Sequence, residues 1–396
     1  MEGPKIQNNS ENVLDNSENV LAERRSILSL LSELKEGKYA SLGAAVIASQ
    51  LAACSGTLER AHTPEGTRAH LQAVEQLGRQ GYPVSVIEEL CILEPSDSYP
   101  APLFIRQLHN IPGYETLRDA MEQSPHRDAI TQHIIPSQKA IAEIIREMTN
   151  ASETRITVYH EGKDDEAIKA DYQFREYFLR LRSKLFSLPN TPEGIAELQL
   201  EWDIFFNNPG ISFSEVSPIS IGTVQLFKER VATAEALKLS QTEQASLEDI
   251  QLGIYLTERH LYESGSIISD PTYNITPEDL WLYTHGGVAK EFLLHDGNYD
   301  MGPGGSSELI EASSKAYQDE QAAYQKYLEE RTLSSWMKFT RIAQEAAASD
   351  DARDKWVMDY IQQQDSSATL PVIVYGAGHT MPGAITCTPR INYNIE

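Results

Sequence analysis

The sequence predicts an α/β fold in which both ends of the chain form a mixed sheet and a large helical insertion separates them. Short β-branched segments typical of buried strands occur at 83–88, 155–159 and 370–375. Between the last two, helical periodicity prevails. We therefore divide the chain into a flexible N-terminal tail, a first part of the α/β core, a helical insertion and a C-terminal part of the core, at residues 1–22, 23–160, 161–348 and 349–396.

The first part of the core opens with a marked helix start. Thr63 serves as N-cap and Pro64 takes the first helical position, and apolar residues keep helical spacing as far as Gly78. The segment Pro83-Val-Ser-Val-Ile-Glu88 is short and β-branched, which predicts a buried strand. A helix over 136–149 then precedes the strand at 155–159. Alternation of helices and strands is the pattern of an α/β sheet.

The insertion contains further helix start signals, at Thr191-Pro192, Ser246 and Thr276-Pro277. A polar helix is predicted at 307–331. Before it, the Gly-rich segment 295–305 is interpreted as a surface turn between helices or, alternatively, as a loop that covers a substrate.

The N-terminal tail repeats one short motif. Asn-Ser-Glu-Asn-Val-Leu occurs at 9–14 and again at 16–21, a period of seven residues. Two copies are too few for a coiled coil or a solenoid. We expect a mobile tail that leads into a helix.

Composition excludes several classes of partner. The chain has 396 residues with 33 Lys+Arg against 58 Asp+Glu, a net charge of −25, whereas nucleic acids and anionic membranes select basic surfaces. A membrane partner is expected only if Cys54, which ends a lipobox-like Leu-Ala-Ala-Cys segment, carries a lipid. No basic segment with an apolar run opens the sequence, so we expect a cytoplasmic protein or one secreted without a standard signal peptide. The cysteines, Cys54, Cys91 and Cys387, are too few for a disulfide framework, and we expect them to be uninvolved.

Chemically reactive side chains lie at the ends of predicted elements. His62 precedes the helix cap, Glu88 closes the predicted strand, and His379 ends Tyr375-Gly-Ala-Gly-His. Because ligands bind at the carboxyl ends of strands in α/β sheets, these side chains are candidates for one site. Two imidazoles and a carboxylate can bind a divalent metal or activate a water, and Arg353 could add guanidinium donors.

Two parts of the sequence resemble a known superfamily. Leu58-Glu-Arg-Ala-His62 with the segment ending at Glu88, and Arg353-Asp-Lys-Trp-Val-Met358 with Gly376-Ala-Gly-His379, resemble the two ends of the superfamily that joins erythromycin esterases, ChaN-type haem-binding proteins and TraB/Tiki proteases. Its pattern is Gly-Glu-x-His, a helix and a strand ending in Glu, then Arg-(Asp/Asn)-x-x-Met and a strand ending Gly-x-x-His. The chain departs from it at Glu59 and Arg60, which replace Gly and Glu, and at Met358, which comes one position late.

The resemblance implies a hydrolase that activates water on an ester, lactone or amide of a small-molecule or peptide substrate. His62 or His379 would act as base, Glu88 would orient or ligate, and Arg353 would stabilise the oxyanion. In esterase-like members the His and Glu activate water without a metal, whereas Tiki-like members use a divalent metal, which here would bind to His62, Glu88 and His379. Whether Glu88 or Glu89 is the family carboxylate stays open, although strand alternation favours Glu88. The alternatives are a ChaN-like protein that binds haem without catalysis, and a secreted bacterial effector that binds a host protein.

Overall fold

The computed structural model describes residues 63–108, 121, 127, 129–189, 191–206, 218–235, 238–263, 275–294, 299–364 and 369–390. Three expectations from the sequence concern residues outside these ranges. They are the tail at 1–22, the candidate site residue His62 and the candidate lipidation site Cys54.

A six-stranded mixed sheet forms the centre of the fold and confirms the predicted α/β class. Its spatial order is β1-β6-β2-β5-β3-β4. Strand β1 pairs antiparallel with β6, and the other neighbouring pairs are parallel. The strands are β1 Cys91–Glu94, β2 Leu103–Gln107, β3 Arg155–His160, β4 Tyr299–Pro303, β5 Thr369–Gly376 and β6 Ile385–Pro389.

Helices make up most of the remaining described chain. They are α1 Pro64–Arg79, α2 Val84–Leu90, α3 Ile135–Ala151, α4 Asp165–Ser187, α5 Pro192–Phe206, α6 Pro218–Glu235, α7 Gln241–Glu263, α8 Pro277–Leu294, α9 Ser307–Glu330 and α10 Leu333–Gln363, and a π-helix, Ile130–Ile134, leads into α3. Within the described ranges, no helix combines the length and the hydropathy needed to span a membrane.

Several predicted elements are confirmed. Helix α1 begins at Pro64, and the Thr63 hydroxyl accepts a hydrogen bond from the Gly66 amide at 3.0 Å, as its N-cap signal predicts. Helix α3 and strands β3 and β5 lie where the sequence predicts them. The start signals at Thr191-Pro192 and Thr276-Pro277 are followed by α5 and α8, whereas Ser246 lies inside α7.

The predicted strand at 83–88 is wrong, because this segment forms helix α2 and the strand follows it as β1. Ile87 is buried, and Val84 and Leu90, three residues to either side, pack beside it. That spacing suits one face of a helix, so packing outweighs the β-branched composition. Glu88 therefore lies on a helix and not at the end of a strand.

The Gly-rich segment 295–305 differs from its interpretation as a loop. Its part Tyr299–Pro303 forms β4, which pairs parallel with β3 along the edge of the sheet. A strand thus lies inside the stretch predicted as a helical insertion. Close packing requires glycine at position 302 of this strand, because a Cβ there would lie 2.6 Å from the Tyr159 ring on β3.

Two layers of helices cover the sheet. One face, with Val372 and Val374 of β5, packs against α1, α3 and α8. The alternate residues Ile373 and Tyr375 face the other way and pack against α10 through residues such as Val357. Helices α4 to α7 form a separate apolar cluster around Trp202 and Phe227.

The cysteines are not all uninvolved, which corrects the expectation from the sequence. Cys91 on β1 and Cys387 on β6 form a disulfide across 296 residues of chain, and both are fully buried. The bond joins the two antiparallel strands at one edge of the sheet and thereby links the two parts of the core.

Candidate functional site

Strands β3 and β5 bring two polar residues together at the carboxyl edge of the sheet. They are parallel neighbours, so their carboxyl ends lie side by side. Glu161 comes directly after β3, and its amide donates to the Val374 carbonyl at 3.1 Å. His379 follows β5 by three residues, after a turn in which its amide donates to the Gly376 carbonyl at 3.0 Å.

Helix α10 supplies the other two members of the site. The face of α10 that packs on the sheet includes the buried residues Val357, Met358 and Ile361. Arg353 and Asp354 lie one turn before them on the same side, because residues three and four apart on a helix are neighbours. Both are consequently buried, at 7% and 4% exposure.

The four side chains form one hydrogen-bonded group, which we name the His379 cluster: Glu161, Arg353, Asp354 and His379. His379 contacts Asp354 Oδ1 through Nδ1 at 2.7 Å and Glu161 Oε1 through Nε2 at 3.0 Å. Arg353 Nη2 donates to the same Oε1 at 2.7 Å. Glu161 Oε2 accepts from the Gly376 amide at 2.7 Å.

This geometry selects the doubly protonated form of His379. Each ring nitrogen faces a carboxylate oxygen, and only an imidazolium can donate at both positions. Arg353 Nη2 lies 3.1 Å from His379 Nε2, where a neutral ring would accept its proton. A neutral ring would leave Nε2 of His379 facing Glu161 Oε1 without a hydrogen between them. We therefore interpret the short distance between Arg353 Nη2 and His379 Nε2 as that of two donors that both bond to Glu161 Oε1.

Electrostatics agree with the imidazolium. Burial by itself lowers the pKa of His379, but the charge of Glu161 and the hydrogen bonds to Asp354 and Glu161 outweigh it and raise this pKa to about 10. Burial also lowers the pKa of Arg353, yet Glu161 and Asp350 hold it above its ordinary value. For Asp354, burial dominates over the bond to His379 and raises the pKa. At neutral pH His379 and Arg353 are therefore both cations.

The ring of Tyr375 contacts both cationic side chains of the cluster. The ring of Tyr375 meets that of His379 edge to face at 5.3 Å between centroids, and the Arg353 guanidinium carbon lies 5.7 Å from the Tyr375 centroid. The Tyr375 hydroxyl donates to the Gly304 carbonyl beyond β4. The ring is fully buried, so its position is fixed by the core.

The structure joins two of the four predicted site residues. Arg353 and His379 contact one another. Glu88 does not join them: its side chain is 49% exposed and lies 3.8 Å from His70. His62 lies outside the described residues.

The expected metal site has no support in the described residues. Among them, no group of three or more His, Cys, Asp or Glu side chains is arranged to hold a metal ion. In the His379 cluster both ring nitrogens of His379 contact carboxylate oxygens, Asp354 Oδ1 and Glu161 Oε1.

Two residues of the cluster were missed by the sequence argument. Glu161 lies two positions after the predicted strand 155–159 and precedes Gly162, whose φ of 73° makes the turn. The strand-end rule applied to this strand finds it. Asp354 belongs to the quoted Arg353-Asp354 motif, although no role was assigned to it.

The fold and this cluster define an α/β protein with a nearly buried network of charges at the carboxyl edge of its sheet. Comparison with known proteins gives no further class: no protein-family model matches the chain, and no curated protein or solved structure was found to match it.

Proposed function

We propose that the protein is a hydrolase that uses the His379 cluster to cleave an ester, lactone or amide bond with water. The observation that carries this proposal is the His379 ring, held between two carboxylates beside Arg353 at the carboxyl ends of two adjacent parallel strands. This is the part of an α/β sheet where ligands bind. Strongly shifted pKa values with specific charged partners are typical of functional sites.

The protonation state assigns the roles. With a pKa of about 10, His379 stays an imidazolium at neutral pH, which favours a role other than base for it. His62, the other base candidate from the sequence, lies outside the described residues. Glu161 is our candidate base, which takes a proton from water and returns it to the leaving group. His379 and Arg353 then stabilise the negative charge that develops on the carbonyl oxygen. Asp354 is a positioning residue, because it holds the His379 ring through Nδ1.

The resemblance to the esterase/ChaN/TraB-Tiki superfamily supports this proposal with a changed alignment. Arg353 and His379, which match the closing motifs, lie in contact. Helix α3 and strand β3 followed by Glu161 fit the superfamily's helix and strand ending in Glu better than residues 58–88 do, because Glu88 lies on a helix. On this alignment the opening motif falls on Arg106-Gln-Leu-His109, of which His109 lies outside the described residues.

The disulfide bears on the location of this hydrolase. Disulfides persist in oxidising compartments and are rare in the cytosol. Since Cys91 and Cys387 are bonded, we favour secretion over the cytoplasm among the two expected locations.

The test is hydrolysis of a panel of esters, lactones and peptides by the full-length protein and three variants. Glu161→Gln and His379→Gln should each lower kcat/KM by about 10²–10⁴-fold, the range for loss of an acid–base or charge-stabilising group. Glu88→Gln is the matched control, because it makes the same change at the exposed site on α2. Unchanged turnover in both cluster variants, or an equal loss in the control, would refute the proposal.

A further inference from the structure

Helices α9 and α10 form a long antiparallel hairpin with an open groove along it. The residue Arg331 ends α9 with a left-handed φ of 48°, and Thr332 starts α10 with a capping box to Ser335. Among the described elements, α9 packs chiefly against α10. The groove between them has a volume of about 520 Å³.

The groove is cationic in an otherwise acidic chain. Lys315 and Lys326 line it from α9, and Lys338 and Arg341 line it from α10, against only Asp319 and Glu345 among its lining carboxylates. The whole chain has a charge of −25. Two of the cations have partners on their own helix, Lys326 with Glu330 at 3.5 Å and Arg341 with Glu345 at 3.8 Å. Exposed pairs of this kind contribute little, so a ligand can displace them.

Two exposed apolar side chains lie on α10 between the groove and the hairpin tip. Leu333 and Met337 are 74% and 64% exposed, the highest values among the large apolar residues that the structure describes. Their spacing of four residues, with Arg341 a further four along, places all three on one side of α10. Trp336 and Phe339 pack in the aromatic cluster beneath the tip, 5.5 Å apart between ring centroids, which holds the tip in place.

We propose that this groove is the docking surface for an acidic amphipathic helix of a partner protein. Alanines, among them Ala312 and Ala316, line the floor and let a helix approach closely. The four cations match carboxylates on the partner helix, and Leu333 and Met337 cover its apolar stripe. A nucleic acid fits less well, because the surrounding negative charge repels a long polyanion and phosphates make no use of the apolar tip.

The length of the groove sets the length of the partner. Lys315 and Lys326 are 11 positions apart on α9, about 16 Å at 1.5 Å per residue. A helix of three to four turns spans this distance and brings its acidic residues within reach of all four cations.

Fluorescence anisotropy tests the proposal. The probe is a fluorescein-labelled helical peptide of about 18 residues with Leu at helical spacing and Glu elsewhere, long enough to populate a helix on binding. We expect saturable binding to the full chain that weakens with added salt. The double variant Lys338→Glu with Arg341→Glu should weaken it by about tenfold or more, and Leu333→Ser with Met337→Ser should weaken it several-fold.

Lys355→Glu is the matched control, since Lys355 is exposed on α10 but does not line the groove. An equal loss in this variant, or no saturable binding, would overturn the proposal. Tighter binding of a labelled single-stranded oligonucleotide would assign the groove to nucleic acid instead. Tighter binding of a peptide of residues 9–21, which is acidic and repeats Val-Leu at seven-residue spacing, would assign it to the chain itself.

Discussion

Two pairs of glutamate and histidine in this molecule behave in opposite ways. Glu88 on α2 lies 3.8 Å from His70 on α1, and the Glu88 side chain is 49% exposed. At the carboxyl edge of the sheet, Glu161 lies 3.0 Å from His379 and is 12% exposed. The first was predicted from sequence as part of the site, and the second belongs to the cluster that the structure shows.

The protonation of the two histidines differs because of their second partners. His70 Nδ1 accepts the Leu93 amide at 3.2 Å, and burial together with Arg390 lowers the pKa of His70 although Glu88 opposes them. His379 has a second carboxylate, Asp354, at the same ring position, and its pKa is raised to about 10. A glutamate neighbour alone therefore does not make a histidine cationic. A buried site with two carboxylates does.

The largest effect on stability is expected at Glu161. The change Glu161→Gln removes one carboxylate from a nearly buried group and leaves Arg353 and His379 with only Asp354 and the half-exposed Asp350 to balance them. Breaking a buried ion pair at one partner costs about 3–5 kcal/mol. Urea denaturation should show a loss of this size in the free energy of unfolding. A loss below about 1 kcal/mol would place Glu161 with exposed groups such as Glu88 and remove the distinction between the two pairs.

The disulfide should come next, and it stabilises the edge of the sheet near Glu88. Cys91 directly follows α2, and its bond to Cys387 joins β1 to β6. Replacing both by Ala should lower the free energy of unfolding by about 2–4 kcal/mol. The turnover proposed for the His379 cluster, which contains neither cysteine, should change little. Peptide mapping without reductant checks the bond itself, and free thiols at both positions would contradict it.

The pH dependence of stability separates the two histidines. The pKa of His379 is raised in the fold from 6.5 to about 10, so its contribution is complete below pH 6.5 and is lost as pH rises through about 10. Between about pH 7 and pH 9 the loss reaches up to about 2.7 kcal/mol. The His379→Gln variant should lack this slope, which urea titrations at several pH values measure. An equal slope in wild type and variant would show that His379 is not the titrating group.

Local signals predicted those parts of the fold where local preference and packing agree. The Thr63 cap, the proline at Pro64 and the β-branched run that became β5 needed no distant partner to be recognised. Residues 84–90 have a β-branched composition, yet they form a helix that buries Ile87 on the face it shares with residues three positions away. The β-propensity of residues is a weak guide where the apolar positions of a short segment fit both the period of a helix and that of a strand.

Of the four residues of the His379 cluster, the sequence named Arg353 and His379 as site residues, because local motifs identify them. Arg353 and His379 lie 26 residues apart in adjacent elements, so motif order brings them together. Glu161 lies 192 residues before Arg353, and their contact depends on the pairing of β3 with β5. That pairing joins the two predicted halves of the core across the whole insertion, and no local pattern in the sequence specifies which strands become neighbours.

The smallest effect is expected at Glu88. Glu88→Gln keeps the shape of an exposed side chain on α2 and removes a charge that lies 3.8 Å from His70. Such surface changes alter the free energy of unfolding by about 0.5 kcal/mol or less. His70 should stay neutral at pH 7, because its Nδ1 still accepts the Leu93 amide and Arg390 still opposes protonation. Urea midpoints measured beside Glu161→Gln compare identical chemical changes at the two pairs. If Glu88→Gln lowered the free energy of unfolding as much as Glu161→Gln, the contribution of a glutamate–histidine contact to stability would not depend on how deeply the pair is buried.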